Sequence, residues 1–238
     1  MRRALAAAVS SLLLAGCAAD SQNRVTRQVE GEIAMGDPRA QQKVVHTDLI
    51  RNMLDQQQYY AAIAHIQAQQ RERGDKPDPE LQLLEATARR NLGQTAQAQD
   101  LYRQLLKSPF VAEAYHGLGL ISARADLNTS VWQLRQAVQR KPTDAQMRND
   151  LGYALMMAGR YNEALPELAT AVELEAGSGS DKARNNLVLL MLVTGDEAAV
   201  QRLVQQSGMT DATLAGLRRQ AQSLARKPLP KGTADRKG

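Results

Sequence analysis

One cysteine and three histidines are the obvious reagents in this chain of 238 residues. Cys17 stands alone, so it can build neither a disulfide nor a thiolate cluster. A solitary thiol can still be acylated, because that reaction needs no second side chain. His46, His65 and His116 are widely separated, with no i, i+4 pair to set two imidazoles on one helix face for a metal. Neither a GxSxG elbow nor a glycine-rich phosphate loop occurs. The spacing therefore predicts no catalytic residue, no metal site and no cofactor. Two kinds of chemistry remain. One is a thiol near the N-terminus; the other is a set of amide, thioether, aromatic and cationic side chains suited to holding another polypeptide.

The surroundings of the thiol give it a role. Arg2 and Arg3 open the chain, and an apolar run from Ala4 to Gly16 follows. That run is shorter than the roughly 20 residues a spanning helix needs. A basic start, a short apolar stretch and then small residues read as a secretory signal. The run ends Leu14-Ala15-Gly16-Cys17. This resembles the bacterial lipobox, in which the cysteine becomes the lipidated first residue of the mature protein. The resemblance implies a signal peptide over 1–16 and lipidation at Cys17. Several acyl chains attach a protein stably where one binds marginally. The residue after Cys17 is Ala18, not Asp. By the usual sorting rule this implies the outer membrane, with the protein facing the periplasm. That compartment is oxidising, yet no disulfide is possible here.

Charge and composition narrow the rest. Without Arg2 and Arg3 the formal charge falls from +5 to +3. The excess gathers at the C-terminus, where Arg218, Arg219, Arg226, Lys227, Lys231, Arg236 and Lys237 face Asp235 alone. A basic tail can bind nucleic acid, but a lipid-anchored envelope protein has better use for it in solubility or attraction to anionic head groups. No nucleic-acid partner and no small-molecule substrate are expected. Aromatic residues make up 3% of the chain while Ala and Leu abound. That composition suits closely packed helices and argues against a β-sandwich.

The body repeats itself. Residues 17–42 read as the lipidated cysteine and a polar tether holding Gly31, Gly36 and Pro38. The clearest repeat is Ala145–Gly177, with Leu151-Gly152, Gly159, Tyr161, Ala164, Leu168 and Ala171. It resembles the tetratricopeptide repeat (TPR), a helix–turn–helix of about 34 residues. Leu118-Gly119 starts the preceding unit and Pro142 closes it, with one residue missing between its two helices. Ala86, Gly93, Ala98, Tyr102 and Pro109 mark another unit; Leu49, Tyr59, Ala62 and Ile66 mark a weaker one. RNNLVLLMLVTGDEAA (184–199) echoes RNDLGYALMMAGRYNEA (148–164) at an offset of 36, after a GSGS break at 177–180. Leu214, Leu217, Ala221 and Leu224 share one face of a last helix, which Thr210 or Asp211 can cap and Pro228 stops. The expected fold is all-α: a right-handed superhelix of four to five helix pairs over 43–209, a capping helix over 210–227, and a disordered basic tail over 228–238.

Such a superhelix has a concave groove lined by the first helix of each pair. Its second, fifth, ninth, twelfth and thirteenth repeat positions face that groove. They predict Asn149, Tyr153, Met156 and Met157 in the clearest repeat, Asn185, Leu189 and Leu192 in the next, and His116 and Arg124 in the one before. An Asn amide can donate to and accept from a peptide backbone, and Met adapts to irregular shapes. An apolar peptide or amphipathic helix is the expected occupant. Trp132 is expected on the outer layer.

The lipobox, the segment GLGLISARADLNTSVWQLRQAVQRKP (117–142) and the paired RNDLGYALMMAGRYNEAL and RNNLVLLMLVTGDEAAV together resemble the TadD-type lipoproteins of the tight-adherence (Flp) pilus machinery. That resemblance implies a non-catalytic scaffold in pilus biogenesis. Its pilotin-like role would be to bind the secretin, or another pilus-assembly protein, and aid its outer-membrane targeting or multimerisation. The lipobox and repeats are equally compatible with a pilotin of a type IV pilus or type II secretion system. They are also compatible with a periplasmic adaptor for a peptidoglycan enzyme.

Overall fold

The computed structural model describes residues 38–74, 77–176 and 181–226. Cys17, the leader, the GSGS break and the basic tail lie outside the described residues. The described chain is helical throughout and contains no strand: α1 Pro38–Asp55, α2 Tyr59–Arg73, α3 Pro79–Asn91, α4 Thr95–Gln104, α5 Val111–Ser122, α6 Leu127–Arg140, α7 Ala145–Met157, α8 Tyr161–Leu174, α9 Lys182–Thr194, α10 Glu197–Ser207 and α11 Asp211–Arg226. A 3-10 turn, Leu105–Lys107, extends α4. The chain divides into two compact units within α1, between Leu49 and Ile50. Of the first unit the described part is 38–49, a helical run opened by Pro38. The expected tether end at 42 is therefore corrected: a helix tolerates proline in its first turn, where the missing N–H has no partner to lose.

The described part of the second unit, which begins at Ile50, is the repeat stack. Its inner turns are alike because the chain reverses through one left-handed residue: Gln57, Gly93, Gly159 and Gly195 have φ between 60° and 80°. Glycine takes that conformation without strain, and Gln57 does so at some cost. The α5–α6 connection is the exception. It has no left-handed residue and is fixed by Asp126, whose carboxylate accepts from the backbone N–H of Asn128 at 2.9 Å and of Thr129 at 3.2 Å.

Small residues let the two helices of a pair cross. Ala62, Ala98, Ser130 and Ala164 are fully buried at the crossing position. Ser130 returns its hydroxyl to the carbonyl of Gly119 at 2.8 Å, so the buried oxygen is satisfied. Opposite these residues lie two glycines. A Cβ on Gly119 would stand 2.6 Å from Leu134 Cγ, and one on Gly152 2.6 Å from Leu168 Cγ. The first pair is 15 residues apart and the second 16, which locates the missing residue in the α5–α6 connection as the sequence predicts. Between pairs, the ring of Tyr102 covers Gly117, leaving no room there for a Cβ. One core cluster then runs from α5 to α11. Leu217 and Ala221 are its buried contribution from the last helix, and α11 packs on α9. The predicted capping helix thus covers the apolar end of the stack. The fold is a tetratricopeptide-repeat superhelix.

Candidate functional site

The first helices α5, α7 and α9 carry the predicted site residues, with Arg124 just past the end of α5, and the structure sorts those residues into three fates. The first fate is burial. Asn149 is fully buried, Leu189 is fully buried and Met156 is 3% exposed. The expectation that these three line an open groove is corrected. Asn149 is met by Asn186 from the next repeat's first helix, and Met156 and Leu189 belong to the main core cluster.

Asn149 instead belongs to a polar ladder across three first helices. Its Oδ1 accepts from Asn186 Nδ2 at 2.7 Å, and its Nδ2 donates to Asp150 Oδ1 at 3.0 Å. Asp150 Oδ1 also accepts from Lys182 Nζ at 3.0 Å, while Asp150 Oδ2 meets His116 Nε2 at 2.8 Å. Asp150 has only 10% of its side chain exposed. Burial pushes its carboxyl up, but the hydrogen bond and charge of His116 and the charge of Lys182 outweigh this and hold it below its ordinary value. His116, predicted as a groove residue, is thereby committed to Asp150. The ladder ties α5, α7 and α9 together and leaves its main groups satisfied. The register argument missed Asp150 and Asn186 because it took each helix alone; Lys182 is at a predicted groove-facing second position, and the structure turns it to Asp150. The available signal was that His116, Asp150 and Lys182 are polar, ionisable residues in the first half of three successive first helices.

The second fate is partial exposure. Tyr153, Met157 and Leu192 are half-buried, with Tyr153 and Leu192 packed on the main core. Leu192 and Val193 face α11 across a cleft of about 320 Å³, flanked by Glu197 and Arg218, which pair at 3.2 Å. Asn185 sits elsewhere, in a cleft of about 140 Å³ against the α10–α11 turn with Ser207, Thr210 and Thr213. Asn149 and Asn185 are thus not brought together, although they share a register position.

The third fate is open solvent. Arg124 is exposed and lines a cleft of about 440 Å³ together with Arg90, Asn91, Gln99, Leu120 and Asp126. On the outer layer, Trp132 is 54% exposed and meets Tyr115 edge-on, ring centroids 5.8 Å apart at 81°. Arg140 covers the face of the Tyr115 ring, its guanidinium carbon 4.7 Å from the centroid. Among the described residues no three His, Cys, Asp or Glu side chains are placed to hold a metal. No described helix is long and apolar enough to cross a membrane.

A stack of helix pairs of this kind is the TPR fold. The comparisons agree. The tetratricopeptide-repeat family model TPR_20 matches residues 124–206. The chain is 28% identical over 233 residues to a TPR repeat-containing protein of Pseudomonas aeruginosa, covering 97% of this chain and 89% of that protein. A thermophilic TPR protein of Thermus thermophilus matches its structure with a TM-score of 0.57 at 22% identity, over 75% of this chain and 96% of that one. MamA of Desulfovibrio magneticus matches with a TM-score of 0.53 at 19% identity, over 78% and 98%. At such identities the structural likeness speaks for the fold alone.

Proposed function

We propose that this protein is an outer-membrane lipoprotein, anchored through Cys17 and facing the periplasm, that serves as a non-catalytic scaffold in tight-adherence (Flp) pilus biogenesis. Its pilotin-like task is to bind the secretin subunit, or another pilus-assembly protein, and bring it to the outer membrane for multimerisation. The observation that carries this reading is the coupling of two parts in one chain. Leu14-Ala15-Gly16-Cys17 supplies a destination, and a TPR stack supplies a surface for cargo. The segments 117–142, 148–165 and 184–200 add the resemblance to the TadD-type lipoproteins. On the cargo side, the half-buried Tyr153, Met157 and Leu192 are the apolar contacts that remain accessible. Asn149, Met156 and Leu189 serve the stack.

The test is made on the secretin. The gene is deleted, outer membranes are isolated, and secretin multimers are assayed with and without complementation. The reading expects loss of multimers, rescue by the wild type and no rescue by Cys17→Ser. Normal multimers with missing pili would move the protein to a later assembly step. Normal multimers and normal pili would remove the pathway, and altered glycan-strand synthesis in their place would point to the adaptor of a peptidoglycan enzyme.

A further inference from the structure

A cleft lies between the second and third helix pairs. Arg90, near the end of α3, and Arg124, just past the end of α5, both line it. Most neighbouring arginines have carboxylate partners: Arg89 with Glu85, Arg103 with Asp100, Arg135 with Glu163 and Arg148 with Glu167. Among the described residues neither Arg90 nor Arg124 has one, and Arg90 Nε is buried without any hydrogen-bond partner. A cation near a helix C-terminus is favoured by the helix dipole, but that effect would leave the guanidinium in water. It does not explain a buried donor left unpaired, which costs free energy. The one carboxylate in the cleft is already occupied. Asp126 caps α6, and Thr129 Oγ1 adds a third hydrogen bond at 2.6 Å. These bonds, that of the Thr129 hydroxyl foremost, hold Asp126 below its ordinary pKa, so its charge stays in place.

We infer that this cleft binds one Asp or Glu side chain, flanked by an apolar residue, from an extended segment of a protein partner. The charge count sets the class of ligand. Two guanidinium groups against one fixed carboxylate leave a single positive charge, which matches one carboxylate and not a dianionic phosphate. A carboxylate can accept from the terminal N–H groups of both guanidiniums at once. Leu120 and Ile121 give the neighbouring side chain an apolar wall, and Asn91 and Gln99 can bond to its backbone. The inference rests on the reading of the protein as an interaction scaffold, and not on which pathway it serves.

The test uses the full chain, labelled with 15N, and two peptides: acetyl-Leu-Asp-Leu-amide and its Asn counterpart. The Arg Nε–Hε resonances are followed by NMR during titration. Saturable shifts of the Arg90 and Arg124 signals by the Asp peptide are expected, with affinity at least tenfold weaker for the Asn peptide. Arg124→Gln, at an exposed position, should weaken the Asp peptide at least tenfold, and Arg90→Gln should do the same. Equal affinity for both peptides, binding unchanged in both variants, or no saturable shift at millimolar peptide would overturn the inference. Inorganic phosphate binding more tightly than the Asp peptide would also overturn it and point to a phosphoryl head group. Peptide binding can fail while secretin multimers still depend on the protein, and the reverse, so the two readings are judged separately.

Discussion

The junction between the second and third helix pairs and the junctions from the third to the fifth put the charged residues on and just after their first helices to opposite ends. In the later junctions, His116, Asp150, Lys182, Asn149 and Asn186 close into one ladder. In the earlier junction, Arg90 and Arg124 have no carboxylate partner among the described residues and border an open cleft. Asn149 and Asn185 share the fifth position, yet one is fully buried and the other only partly, so repeat position alone does not decide whether a residue is left for cargo. What decides it is the next repeat: where its first helix brings complementary groups, the position is spent on cohesion, and where it does not, the position is left for a ligand. A solenoid can in this way keep one stiff half and one receptive half within a single periodic fold.

The largest effect should come from opening the closed half from inside. Gly152→Leu places a side chain where even a Cβ would lie 2.6 Å from Leu168 Cγ. Prying α7 from α8 should cost about 3 kcal/mol. That corresponds to a melting temperature lowered by roughly 6–12 °C for a protein of this size, read by circular dichroism. The ladder begins two residues away at Asp150, so the variant should disturb it as well. Unchanged melting would show that the close approach of these two helices is not what the register requires.

Removing Asp150 comes next. Asp150→Ala strips the shared partner from His116 and Lys182 and leaves Asn149 with half its bonds, which should destabilise by about 2–4 kcal/mol. The pH dependence has a definite sign. The carboxyl is held below its ordinary value in the fold, so the ionised form contributes stability that is fully present above the unfolded value. That contribution is lost as pH falls through the lower, folded value. The gap in melting temperature between wild type and Asp150→Ala should be full at about pH 7 and should narrow at about pH 3. A gap that stayed constant would mean the ladder holds the stack by packing, not by charge.

The two asparagines show how far the sequence could be read. Their shared register position was legible, as were the five helix pairs, the crossing residues Ala62, Ala98 and Ala164, the one-residue deletion and the capping helix. All of these depend on contacts within a pair, which are local in sequence. Which of Asn149 and Asn185 would be exposed was not legible. That depends on Asn186 reaching back from the next repeat to Asn149 at 2.7 Å, and on α11 ending the stack near Asn185. The side chains that remain open, Arg90 and Arg124, are recognised by a partner they lack, which no pattern in one chain displays. Asn149→Ala should cost about 1–2 kcal/mol and Asn185→Ala no more than about 0.5 kcal/mol. Equal costs would mean that Asn186 is not the cause of the difference.

The smallest effect on stability is the sharpest test of the contrast. Asp150 and Arg90 are both charged residues on first helices, both partly or largely buried, and truncating each removes one charge. If they served the same purpose, both losses would destabilise. Asp150 has its partners, so its removal orphans them. Arg90 has a buried Nε with none, so Arg90→Met removes an unsatisfied donor and keeps an apolar stem of similar length. Replacing an orphaned polar group by an apolar one should leave stability unchanged or raise it by up to about 1 kcal/mol. Thermal melts of Arg90→Met and Asp150→Ala in the same buffer decide the matter. Melting of Arg90→Met at or above wild type would mark the earlier junction as a site held ready at the expense of stability. A loss as large as that of Asp150→Ala would make Arg90 part of the scaffold and close the open half of the comparison.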